Sequence, residues 1–460
     1  MKKLGVVITD GVGYRNFVMS DFLKEAATSF ESIALYSGLP KSTLKEHILP
    51  NVKVYELPVF KESRFTWFLR RLKEVAHLHN HKSKAFGLNS NLRRSRSKRL
   101  TKRGVLNNLV YFITYLFHSE KAIRNYEKWQ FRSFKSNEVT KAYLKLLKSD
   151  QPDLLFFTHQ RPPYLAPILA MSKQLNIPNV AFIFSWDNLA SKGRMLGTFN
   201  KYLVWSDLMS SELLTFYPRT KKENVMVVGT PQFEPYVLEN YVVNREDFYK
   251  KFDLENNKKI ICYSCADSSI GKNDEHHIRA LWNYIKKHDN LQLLIRTSPA
   301  EDGKRFQKLK EEIPELKWNI PKWVQTRADH AESWSQRLPT EEDVLDLKAI
   351  LTFSHVNVNM LSTMSLDFML FDKPVINTVF GNEINGLYND QRFLNYKHYK
   401  HVIDSESVTI AKNETDLHQQ LEEALNEPEK RSLNRKEILA LEIGAPLVGT
   451  SKRLVKALLS

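Results

Sequence analysis

Short apolar runs separated by helix-length segments recur along this chain, and that alternation limits the fold more than any other feature. In the first half the runs are Lys3–Thr9, Ser32–Tyr36, Val52–Leu57, Asp153–Thr158, Val180–Ser185, Tyr202–Trp205 and Val225–Val228. In the second half Lys259–Ser264 and Gln292–Arg296 continue the series. Helical spacing is read over Asn16–Ala27, His276–His288, Phe306–Ile313, Leu417–Leu425, Arg435–Glu442 and Thr450–Leu459. Strands this apolar belong in parallel sheets covered by helices. A chain of 460 residues holds more than one such core. The expected fold class is α/β with two open parallel-sheet domains facing an interdomain cleft. Pro235 and its charged neighbours interrupt the apolar rhythm, so the domains are expected over 1–240 and 241–460.

The net charge of +16 is concentrated in one segment. Lys61–Arg103 carries 14 Lys and Arg against Glu62 and Glu74, a net +12. This basic helical insert, about 61–135, interleaves Phe65, Trp67 and Phe68 with its charges, and the apolar Val105–Phe117 follows. Basic residues beside aromatics fit an anionic membrane surface. No nucleic-acid-binding motif accompanies them. A solvated loop beside a buried helix is the plain alternative. No apolar run approaches the roughly 20 residues that span a bilayer. The N-terminus reads as a first strand, not a signal peptide. The only cysteines, Cys262 and Cys265, are too few for a disulfide framework or a zinc site, which fits a cytoplasmic setting. No metal site and no cofactor is expected.

Ligands of open parallel sheets bind beyond the carboxyl ends of strands, so the residues just past each run are the candidates. Asp10 opens the turn Asp10-Gly11-Val12-Gly13, where it is either a general base or a turn former, with Gly11 and Gly13 allowing close backbone approach. His159 follows the Asp153–Thr158 run and is either a titrating cleft residue or a structural one. Ser185 to Gly193 brings Trp186, Asp187, Asn188 and Lys192 into one loop, read as acceptor or catalytic contacts. Asp10, Asp187 and His159 are thus the catalytic candidates. In the second half, Ser268 lies in a hydroxyl-rich loop without the spacing of a Walker loop. Arg296 ends an apolar run and is read as a phosphate partner or a structural ion pair.

The stretch Ile350–Gly381 reads as a strand–helix–strand unit. Ala349–Phe353 is expected as a buried strand, Ser354 and His355 as its loop, and Ser365–Phe371 as a helix ended by Lys373-Pro374. Ser362 and Thr363 would then stand at the helix start. There a hydroxyl either caps the helix or helps to bind a phosphate.

These residues resemble a known family. Ser362-Thr363-Met364-Ser365-Leu366-Asp367-Phe368, followed by Asp372-Lys373-Pro374-Val375-Ile376, is similar to the donor-side signature of the CDP-glycerol glycerophosphotransferase-like branch of the GT-B superfamily. Ser185–Gly193 and Val228–Phe233 resemble stretches of bacterial surface-polysaccharide transferases with the same fold. Met360-Leu361 replaces the Asp-Tyr of that branch, and Arg296-Thr297-Ser298-Pro299 lacks its histidine. Those departures favour a nucleotide sugar over an alditol donor. The resemblance implies two Rossmann-like domains, the first acceptor-side and the second binding the donor, with the last helix packing back on the first. It implies a glycosyltransferase moving a sugar from a nucleotide-sugar donor to a bacterial surface glycan or lipid-linked acceptor, metal-independent; the basic insert would hold it peripherally on the inner membrane. Ser362 and Thr363 would meet the phosphates, with Arg296, Ser268 and His355 near the donor and Asp367 orienting the loop or a sugar hydroxyl. A CDP-alditol transferase, a non-catalytic glycan-binding module and a nucleotide-sugar epimerase on the same fold are the alternatives.

Overall fold

A computed structural model describes residues 2–99, 101–328, 330 and 332–460, so Leu100 in the basic segment lies outside the described residues. The chain divides into two compact units. The first comprises Met1–Gln232, Gln325–Leu338 and Ile443–Ser460; the second comprises Phe233–Val324 and Pro339–Glu442.

The first unit is built on β1 (Lys3–Ile8), β2 (Ser32–Ser37), β3 (Val52–Glu56), β4 (Leu154–Phe157), β5 (Asn179–Phe182), β6 (Lys201–Val204) and β7 (Val225–Val227). They form one seven-stranded sheet in the order β3-β2-β1-β4-β5-β6-β7, every pair parallel. β4 and β5 are buried at every residue, as a sheet covered on both faces requires. The order reverses at β1 and β4, where Leu4 pairs with Leu154 and Val7 with Phe157. The expected helix Asn16–Ala27 is two helices, α1 (Gly11–Phe17) and α2 (Phe22–Ser29). The Phe17 ring meets Phe22, Phe156 and Phe182 edge-on at 5.3–5.5 Å, tying both helices to the sheet. Such pairs contribute about 0.5–1.5 kcal/mol each beyond area burial. The C-terminal helix Thr450–Leu459 packs on α2.

Between β3 and β4 the basic insert folds as α3 (Arg64–His81), α4 (Phe86–Ser95), α5 (Lys102–Leu116), α6 (Glu120–Ser133) and α7 (Glu138–Asp150). Ser63, Thr101, Ser119 and Asn137 cap α3, α5, α6 and α7 through their side chains. Only Gly104, Val110 and Thr114 of α5 are buried. Its Val105, Leu109, Phe112 and Leu116, at helical spacing, are exposed along one side. The unit is completed by α8 (Ala166–Gln174), α9 (Asn188–Ser191) and α10 (Asp207–Phe216).

The second unit carries β8 (Lys259–Ser264), β9 (Leu291–Arg296) and β10 (Lys317–Asn319). Two short strands, β11 (Trp323–Gln325) and β12 (Arg337–Pro339), whose residues fall partly in the first unit, pair with each other. β13 (Val356–Asn359), β14 (Val375–Thr378) and β15 (Thr409–Ala411) complete a parallel six-stranded sheet of order β10-β9-β8-β13-β14-β15. Its strand order reverses at β8 and β13. The core gathers Ile261, Tyr263, Leu281, Leu293, Val358 and Leu417.

Ala349–Phe353 is not a strand. It is the last turn of a helix, Glu341–Phe353, that starts at the Thr340 cap with three acidic residues in its first turn. A short apolar run does not by itself distinguish a strand from a buried helix end, and here the upstream cap decides. The strand lies further on. Its Asn357 and Asn359 are fully buried, which disguised it as a loop.

Candidate active site

Where the strand order of a parallel sheet reverses, the loops after the two central strands part and leave a crevice beyond their carboxyl ends. In the first unit those strands are β1 and β4. Asp10 follows β1 and His159 follows β4. The sheet closes the 149 positions between them, so that His159 Nδ1 stands 3.1 Å from Asp10 Oδ2. Asp10 is fully buried, and its other oxygen accepts the Gly13 N–H at 2.8 Å, capping α1. Gly11 opens that helix. Gly13 backs on Thr158, whose hydroxyl would lie 3.1 Å from an added Cβ. The His159 ring stacks on Phe184, with centroids 3.8 Å apart and planes at 14°. Gln160 holds Phe184 in place, accepting its N–H at 3.1 Å.

Both Asp10 oxygens are therefore engaged, and the geometry suits Asp10 to orienting and His159 to proton transfer. With Nδ1–H donated to Asp10, the Nε2 lone pair is the one that can take a proton. The segment Gln325–Leu338 adds groups around Asp10 that no sequence pattern pointed to. Gln336 Nε2 donates to the Thr9 carbonyl at 3.4 Å, and His330 meets the Tyr164 ring edge-on at 4.7 Å. Burial raises the Glu332 carboxyl pKa, and the charge of Asp10 adds to it. These residues have polar, irregular spacing, and only proximity to β1 distinguishes them.

The loop after β5 is knitted to itself. Asp187 accepts from Ser185 Oγ at 2.7 Å and Asn188 Nδ2 at 2.9 Å, and pairs with Lys192 Nζ at 3.4 Å. Trp186 is buried, and Asn188 Oδ1 accepts from Gln160 Nε2 at 3.0 Å. The loop thus braces Gln160, which adjoins His159. Lys192 stays 44% exposed and lines a pocket.

In the second unit the reversal lies at β8 and β13. Past β13, Leu361 takes a left-handed φ of 50°, which turns the chain sharply into Ser362 and Thr363, both partly exposed. Asn359 Oδ1 accepts the Ser362 N–H at 2.9 Å, and Ser362 Oγ accepts the Met364 N–H at 3.2 Å, just ahead of the short helix Met364–Met369, whose N-cap position is Thr363. Beneath it, Asn359, Ser365, Asn377 and Tyr399 form a buried hydrogen-bonded network. A satisfied network of this kind rigidifies the loop it supports. Asp367 accepts the Tyr236 hydroxyl.

Two expected donor contacts, Arg296 and His355, are placed differently. Arg296 is buried with its guanidinium committed to Asp343 at 3.0 and 3.2 Å and to Asn319, so its partner is a carboxylate of its own unit and not a phosphate. His355 precedes β13, at the opposite end of the strand from Ser362, roughly 13 Å of strand away. There its Nδ1 accepts the Ile260 N–H at 3.1 Å. Ser268 is exposed in the loop after β8. That loop is held from below: Arg305 binds the carbonyls of Gly271 and Ala266 and pairs with Asp274, whose buried carboxyl is raised to about 6. Among the described residues no group of three or more His, Cys, Asp or Glu side chains is arranged to hold a metal ion.

Solved structures share this architecture end to end. The chain superposes on S. aureus MnaA with UDP at a TM-score of 0.56 and 13% identity, covering 99% of this chain and 95% of that one. For the UDP-GlcNAc 2-epimerase of Neisseria meningitidis bound to UDP-GlcNAc the values are 0.52 and 11%, covering 99% of both chains. For a glycosyltransferase of Rickettsia africae they are 0.51 and 12%, covering 100% and 99%. The fold is GT-B. At these identities the likeness concerns the fold alone, and it gives the CDP-glycerol branch no support. No protein-family model and no curated protein sequence matches the chain. Both units present the GT-B plan of a parallel sheet with its polar loops past the central strands.

Proposed function

We propose that this chain is a nucleotide-sugar-dependent glycosyltransferase whose base is His159, oriented by Asp10. The observation that carries the reading is the His159–Asp10 pair at the reversal point of the first sheet. A histidine fixed by a buried carboxylate and stacked on an aromatic ring is prepared for proton transfer. In the reaction His159 Nε2 takes the proton of an acceptor hydroxyl. The hydroxyl oxygen bonds to the anomeric carbon of the donor sugar. The bond from that carbon to the phosphate oxygen breaks, and the nucleoside diphosphate leaves with the electron pair. Ser362 and Thr363 in the turn after β13 are assigned to the diphosphate, which their hydroxyls stabilise without a metal. The bound UDP and UDP-GlcNAc of two similar folds support that class of donor.

The acceptor is assigned to a membrane. No helix among the described residues is long and apolar enough to cross one. Yet α5 exposes Val105, Leu109, Phe112 and Leu116, next to exposed Arg96, Lys98, Arg99, Lys102 and Arg103. An apolar stripe beside clustered cations fits the headgroup region of an anionic leaflet. A lipid-linked or surface glycan is the acceptor that such an enzyme meets.

The test is turnover of UDP-sugars with and without membrane glycolipid, for the wild type and for His159→Ala. Acceptor-dependent release of UDP that His159→Ala loses supports the reading. A second reading follows from the similar epimerase folds: an epimerised nucleotide sugar formed without any acceptor would replace transfer by epimerisation.

A further inference from the structure

We infer that a cavity between α3, α4 and the loop after β5 binds a phosphate or diphosphate group of the acceptor. The inference rests on the transferase reading for the word acceptor. The cavity itself rests on its own geometry. It measures about 260 Å³ and is lined by Arg71, Glu74, Asn91, Arg94, Arg161 and Lys192 among others. Four cations thus face one carboxylate. That carboxylate is already used: Glu74 pairs with Arg70 at 2.8 Å and Arg71 at 2.7 Å. Burial would raise the Glu74 carboxyl, but the charges of Arg70, Arg71 and Arg161 hold it down at about 2.

Arg161 and Arg94 are the cations left over. Arg161 is partly buried, and one guanidinium nitrogen donates to the Gly193 carbonyl at 2.8 Å. Neither arginine forms an ion pair with a carboxylate among the described residues. A guanidinium fixed at one edge presents the other to an anion, and its planar fork matches phosphate oxygens.

The walls are built for close approach. Gly87 of α4 stands so near α9 that an added Cβ would lie 2.9 Å from the Ala190 carbonyl. At Gly193 an added Cβ would lie 3.1 Å from the Glu74 Cβ. Absent side chains at both places let α3 and α4 close on the loop.

The cavity is also well placed. Arg161 is two residues past His159, within about 7 Å of chain. Arg94 lies at the end of α4, from which the chain runs through Arg96, Lys98 and Arg99 to the exposed stripe of α5. A phosphorylated acceptor held here has its anion near the base and any lipid tail near the apolar helix.

The experiment is calorimetric titration of the full-length protein with inorganic pyrophosphate, using the wild type, Arg161→Gln, Arg94→Gln and, outside the cavity, Lys310→Gln. The wild type is expected to bind with an affinity that falls as salt rises. Each arginine variant is expected to bind about tenfold more weakly, and Lys310→Gln as the wild type. Arg94 is exposed, so its variant folds normally even if Arg161→Gln does not. His159→Ala is expected to retain pyrophosphate binding, which separates this cavity from the catalytic reading. Binding by a protein without transferase activity would refute the function and spare the cavity. No wild-type binding, wild-type affinity in both arginine variants, or displacement of pyrophosphate by UDP would overturn the inference. Phosphatidylcholine vesicles carrying a prenyl phosphate identify the source. Retention that Arg161→Gln loses indicates a lipid headgroup; pyrophosphate binding without retention indicates a soluble phosphorylated glycan.

Discussion

His159 lies flat on Phe184, 3.8 Å between ring centroids, while its Nδ1 reaches Asp10 at 3.1 Å. One contact sets the plane of the imidazole and the other its rotation, so Nε2 points one way. Asp10→Asn keeps the shape but removes the carboxylate that accepts the Nδ1 proton. The expected result is a fall in kcat of about 10² to 10⁴ with donor KM little changed, measured by steady-state kinetics. Phe184→Leu is expected to lower kcat less.

Arg296 pairs with Asp343 at 3.0 Å, both buried. Arg296→Leu strands that carboxylate, which also accepts the Trp323 indole N–H at 2.8 Å. A loss of about 3–5 kcal/mol is expected by urea unfolding. Donor KM should be unchanged in the protein that remains folded; a selective rise in KM would restore the phosphate role.

Buried histidines on α3 make stability pH-dependent. Burial lowers His79 and His81 to about 4, with the charges of Lys82 and Lys84 adding, and it holds His77 well below the usual imidazole value. The unfolded chain therefore takes up protons at a higher pH than the folded one. Stability from these groups is complete above about pH 6.5 and declines as pH falls toward 4, by up to about 1.4 kcal/mol per pH unit for each histidine. Urea midpoints at pH 7 and pH 5 should differ, and the difference should shrink in His79→Phe.

Phe112 is 61% exposed and Leu109 45% exposed on α5. Replacing both by Glu should leave the melting temperature within a degree or two, since surface changes seldom exceed about 0.5 kcal/mol. Retention on anionic vesicles in a flotation assay should drop at least about tenfold. Unchanged retention would remove the membrane assignment of this helix.

Much of the architecture is legible in residue order alone. Apolar runs such as Lys3–Ile8 and Leu291–Arg296 must be buried on both sides, and a buried strand with helix-length connections belongs in a parallel sheet. Asp10 and His159 are each visible as polar residues just past such a run. Their bond is not visible, because it depends on β1 lying beside β4, and no local pattern encodes which strands are neighbours. The same holds for Arg296, whose partner Asp343 stands on a helix 47 positions away. The apolar run Ala349–Phe353 went to a helix because its cap at Thr340 lies upstream, while the true strand hides two buried asparagines whose amides are satisfied only by the folded network. Composition and periodicity follow from burial, which each residue reports for itself. Partners, cavities and exposed faces follow from packing, which only the assembled tertiary structure decides.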